Sequence, residues 1–187
     1  MREARNEIGD ILIRIGKALL IYLVIGAALL GLIFWLTSDF ESASLMLRAQ
    51  FADAEDAQTS VMVILDQARL HLVYWMLTSL AASLICASLF LSFAQSRRPR
   101  NAIEGGSYKA RWIALLIVAL SLSVLCWWQF VSVADVAGAL VSKSYVLVLV
   151  CVGLGNLLAY YLATGLAVTM TMKPSVPMGT LLPNSWN

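Results

Sequence analysis

Of the chain's 187 residues, 60% are hydrophobic and 13% are charged, where an ordinary soluble domain carries about 25% charged residues. Four apolar runs make up the difference, at about residues 18–37, 72–94, 112–134 and 145–172, and they leave no room for a large soluble domain. The net charge of +2 gives no sign of a nucleic-acid partner, so the informative feature is where the charges sit.

In residues 1–17, Ile8, Ile11, Leu12 and Ile15 recur at helical spacing, with Arg5, Asp10, Arg14 and Lys17 on other faces. Two arrangements fit that pattern: an amphipathic helix lying in the membrane interface, or a solvated extension of the first spanning helix. The charged region is long and mixed in sign, and no A-x-A site follows the apolar run. A cleaved signal is therefore not expected, and the first run stays as a spanning helix. Within 18–37, Ala27 and Gly31 form a small-xxx-small pair, which lets helix backbones approach closely in lipid. Phe34 and Trp35 come near the far end, at the depth aromatic rings prefer.

Residues 38–71 are the one sizeable segment outside the apolar runs before the second span. Asp39, Glu41, Asp53, Glu55, Asp56 and Asp66 stand against Arg48 and Arg69, a net of −4. With no Gly or Pro and many good helix formers, the segment is expected to be helical, its later part running on into the second span. Asp53, Glu55 and Asp56 form an acidic cluster, which more often is a solvated face than a cation site. His71, the single histidine, sits at the membrane boundary beside Tyr74 and Trp75. In the second span Ser79, Ser83 and Ala87 fall at i+4 spacing, a second small-residue stripe with hydroxyls for interhelical hydrogen bonds.

Residues 95–111 interrupt the helical pattern with Pro99 and Gly105-Gly106. Arg97, Arg98, Arg100, Lys109 and Arg111 against Glu104 give this loop +4. Short loops rich in Lys and Arg stay on the cytoplasmic side, which predicts N-in/C-in topology with the acidic segment outside. The same cations attract anionic lipid headgroups. The third span carries Trp127, Trp128 and Gln129 near its outer end, and the short loop after it implies an antiparallel hairpin with the fourth. In that last span Gly155, Ala159, Ala163 and Ala167 make the longest small-residue stripe, with Asn156 beside it. The tail 173–187 contains three prolines, which exclude a helix of any length. Val176, Met178, Leu181, Leu182 and Trp186 are too apolar for a free tail, so it is expected to be extended and docked on the cytoplasmic face or on a partner.

No Asp, Glu, Lys, Arg or His lies in the middle of a span, where pumps and proton-coupled transporters place such groups. Cys86, Cys126 and Cys151 lie within the apolar runs without C-x-x-C spacing, so they read as small core residues. No G-x-S-x-G or H-E-x-x-H motif occurs. No catalytic residue, metal or cofactor is expected. A polar path through Ser79, Ser83, Gln129 and Asn156, as in a small transporter or channel, is the alternative, and an interfacial enzyme using His71 and the acidic segment is a third possibility.

From the second span to the fourth, Arg97-Arg98-x-Arg100, then Gly105-Gly106, then Tyr108-Lys109-Ala110-Arg111 leading into a span resemble the C-terminal part of a family of inner-membrane proteins encoded by integrating conjugative elements and related plasmids. The resemblance covers about half the chain and implies a subunit of a conjugation or secretion apparatus. The expectation is an all-α, polytopic, non-catalytic inner-membrane subunit of four helices. It packs with other integral membrane subunits as a hetero- or homo-oligomer through its small-residue stripes. Its basic loop and Trp186 would contact lipid or partner.

Overall fold

The computed structural model describes residues 2–38, 57–97, 104, 108–133 and 143–182. Its helices are α1 (Arg2–Ser38), α2 (Ala57–Arg97), α3 (Lys109–Val133) and α4 (Lys143–Ala167), followed by short 3-10 turns at Met170–Ser175 and Gly179–Leu181. All four α-helices are long and apolar enough to cross a membrane. Their outward faces are as apolar as their inward ones: Leu23, Ile85, Leu125 and Leu154 are all more than half exposed. A helix apolar all round belongs in lipid.

Side-chain contacts fix the helices as an antiparallel bundle. Arg14 of α1 meets the end of α4 at Ala167, while the far end of α1 meets the start of the second span, where the Arg69 guanidinium lies over the Phe34 ring. The α2 helix packs against all three others, and α1 also packs along α4. Tyr160, Phe90, Ile33, Met76 and Leu91 fill the centre and are fully buried. The third and fourth spans are antiparallel, but α3 is tied to α4 through Trp112, at the end remote from their connecting loop.

Of the two arrangements for the N-terminus, the helical extension is the one adopted. Continuous over 37 residues, α1 is about 55 Å long at 1.5 Å per residue, and a bilayer with its headgroups is about 40–45 Å thick. With 41 residues, α2 begins at Ala57, so the later part of the acidic segment is continuous with the second span. Residues 39–56, including Asp53, Glu55 and Asp56, lie outside the described residues. The last span ends as α-helix at Ala167, earlier than the 172 expected from hydropathy. The backbone leaves the helix at Thr169 (φ −67°, ψ 159°), and Pro174 sits inside the turn that follows. With no amide hydrogen, Pro174 bars an α-helix from running on through it, and the break at Thr169 comes before that limit.

Candidate functional site

Within the bundle the polar side chains pair with one another, as they must where no water is at hand. The Tyr22 and Ser83 hydroxyls are 2.6 Å apart and join α1 to α2. Ser123 donates to the Ser79 hydroxyl at 2.8 Å, and the Trp75 indole donates to the Ser123 carbonyl at 2.9 Å. These two bonds lock α2 to α3. Near the basic end, the Trp112 indole donates to the Thr164 hydroxyl at 2.8 Å, which itself donates to the Tyr160 carbonyl at 2.7 Å. The Tyr160 hydroxyl closes the loop on the Trp112 carbonyl at 3.2 Å.

Asn156 departs from this pattern. It is 1% exposed, and among the described residues neither its amide nitrogen nor its amide oxygen has a hydrogen-bond partner. Its depth follows from its neighbours. Gly155 abuts Leu29, and Gly26, one turn along α1, abuts Leu80 next to Ser79. Asn156 is therefore within about a turn of the Ser79–Ser123 pair, near the middle of the span. A buried amide without partners costs about 1–3 kcal/mol relative to a paired one.

The small-residue stripes divide into two kinds. Ser79, Ser83, Ala87, Ala159, Ala163 and Ala167 are all buried, so the α2 and α4 stripes lie inside the bundle. Gly155 is half-buried, and a Cβ there would sit 2.8 Å from a Leu29 methyl. Ala27 and Gly31 instead face outward, and a Cβ on Gly31 would meet nothing within 4 Å. Ala27 also lines an apolar groove of about 340 Å³ between α1 and α2, together with Gly26, Leu23, Leu77 and Ala81.

Cations gather at the end where α1 and α3 begin. Lys109 and Arg111 are exposed at the start of α3, and the Arg111 guanidinium lies 4.3 Å over the Phe93 ring. Arg98, Arg100 and Trp186 lie outside the described residues, as do the side chains of Arg97 and Gln129. Sequence reasoning gave Arg14 no partner and placed it only off the apolar face of the N-terminal helix. Its guanidinium donates to the Ala167 carbonyl and so caps the negative end of the α4 dipole. The described part of the tail, to Leu182, is docked on the protein itself, in 3-10 turns rather than an extended strand. Met172, Ser175 and Val176 are buried, and the Lys173 ammonium donates to the Leu182 carbonyl at 2.5 Å. His71 is half-buried, and the three cysteines are free thiols.

Four lipid-facing helices around an internally hydrogen-bonded core define an all-α polytopic membrane protein. No protein-family model, curated protein or solved structure matches the chain.

Proposed function

We propose that the chain is a non-catalytic subunit of a bacterial inner membrane that packs against other integral membrane proteins, with both termini cytoplasmic. The observation that carries this reading is the outer face of α1. Ala27 and Gly31 form a small-xxx-small pair turned away from the protein's own core, beside the apolar α1–α2 groove. The pair gives its own bundle no close packing, and it suits the close approach of a foreign helix. A conjugation or secretion apparatus is the assembly suggested by the motifs from Arg97 to Arg111. The test is native mass spectrometry of the gently extracted protein beside the double variant Ala27→Leu, Gly31→Leu. The native chain should carry other membrane subunits and the variant should lose them. A native chain that is strictly monomeric, in mild detergent and in native membranes alike, sinks the proposal.

One observation favours a second reading, a small transporter or channel. The unpartnered Asn156 amide lies near the depth of the buried Ser79 and Ser123 hydroxyls, a neutral polar layer in mid-membrane. On this reading liposomes holding the protein pass a small polar solute, and Asn156→Leu abolishes the flux. Equal flux in the native chain and the variant counts against it.

A further inference from the structure

The 3-10 turns after α4 form a hydrogen-bonded hook that leaves two apolar side chains, Met178 and Leu181, exposed. Three contacts fix its shape. The Lys173 ammonium holds the Leu182 carbonyl. The Ser175 hydroxyl donates to the Met172 carbonyl at 2.6 Å. The Gly179 amide donates to the Val176 carbonyl at 2.9 Å. Met178 is held at φ 55°, a left-handed backbone that costs a non-glycine residue energy. Nothing in that turn buries its side chain: Met178 is 74% exposed and Leu181 79% exposed.

The surface on which the hook sits identifies what surrounds it. Leu147, Val150, Leu154, Leu157 and Leu158 are exposed along α4, and their helical spacing continues through Tyr161 to Gly165. Gly165 thus lies on the same side of α4 as these exposed leucines, and the tail buries it there. A side chain there would collide with Leu182, with Val176 behind it. The end of the hook at Leu182 therefore folds back onto the outward side of α4. Gly165 is two residues before the helix end at Ala167, about 3 Å along the axis, within the 5–10 Å to which interfacial segments sink. The Met170–Ser175 turn also touches α3, at whose start Lys109 and Arg111 are exposed.

We propose that residues 170–182 form an interfacial hook that seats Met178 and Leu181 in the headgroup–acyl boundary of the leaflet at which α4 ends. The partner is the lipid monolayer itself, so this inference does not depend on the assembly reading. The test places a polarity-sensitive fluorophore at Leu181→Cys in the full chain, with Cys86, Cys126 and Cys151 changed to Ala. The protein is reconstituted in vesicles of phosphatidylethanolamine and phosphatidylglycerol. Nitroxides on the upper part of the acyl chain should quench the probe several-fold more strongly than aqueous iodide does. Gly165→Leu should displace Leu182 and reverse that preference. Stronger quenching by iodide in the parent chain overturns the proposal, because the tip then faces water. Quenching by neither agent also overturns it, because protein then covers the tip. If the alanine background does not fold, the same probe in a chain keeping its native cysteines, corrected for labelling of the unsubstituted chain, gives the same readout.

Discussion

Asn156 presents a trade-off that a single substitution resolves. Its amide is shielded without a partner among the described residues, while the nearby serine and tyrosine hydroxyls are paired. Leucine has a similar volume and asks for no hydrogen bond. Replacing an unpaired buried polar group by an apolar one of like shape removes a penalty of about 1–3 kcal/mol. Asn156→Leu is therefore expected to stabilise the bundle by about 1–2 kcal/mol, read from reversible unfolding in mixed micelles. Destabilisation of that size would mean that the amide makes bonds in the membrane that hold the helices together. Trp112 is the opposite case. Its indole and carbonyl both serve the Thr164–Tyr160 loop, so Trp112→Phe leaves the Thr164 hydroxyl one donor short. Interhelical hydrogen bonds in membranes average about 0.6 kcal/mol, and a loss of about that size is expected in the same assay.

At the scale of the helix, the contrast between stripes is itself a prediction. Ala159 and Ala163 are fully buried, so Ala159→Leu or Ala163→Leu overpacks the core and is expected to cost about 1–3 kcal/mol or more. Ala27→Leu and Gly31→Leu fall on an outward face and should change monomer stability by no more than about 0.5 kcal/mol. Unfolding of the purified monomers separates the two classes. Arg14 works at the same scale, since its guanidinium holds the last α4 carbonyl where the helix dipole favours a cation by about 0.3–1 kcal/mol. Arg14→Ala should speed amide exchange at Val168, whose amide donates to the Thr164 carbonyl, and leave exchange in α2 unchanged. The sequence carried the four spans plainly, because an apolar run long enough to cross a bilayer has few other uses. It also carried the small-residue positions, because their spacing is helical. It did not carry which stripes face inward, since lipid and core are equally apolar and periodicity alone does not tell them apart. Arg14 was hidden for a related reason. Its partner is a backbone carbonyl 153 residues away, and a backbone partner leaves no mark in composition. The tail's apolar residues implied docking, but which face receives it depends on Gly165, whose missing side chain is the seat for Leu182.

At the scale of the whole molecule, the bundle sorts charge by end. Arg14 and Lys17 of α1, Lys109 and Arg111 of α3, and Lys173 after α4 lie toward one end, while Arg69 lies at the other beside Phe34. The first end is also where α2 ends at Arg97 and α3 begins at Lys109. Lys and Arg in short loops are retained on the cytoplasmic side, so the basic end should be the inner one. This orientation is testable with two single cysteines. Leu70 is 51% exposed at the Arg69 end, and Lys109 is exposed at the other end. In intact cells a membrane-impermeant maleimide should label Leu70→Cys, and should label Lys109→Cys only after the membrane is opened. The reverse pattern would invert the topology and place the basic loop outside. Changing Arg97, Arg98 and Arg100 together to Gln tests the cause. These three supply most of the loop's excess positive charge, and a chain oriented by them should then divide between the two orientations, with both cysteine sites partly labelled in intact cells. If labelling stays one-sided, the cations beside the spans, from Arg14 to Lys173, are sufficient to set the orientation without the loop.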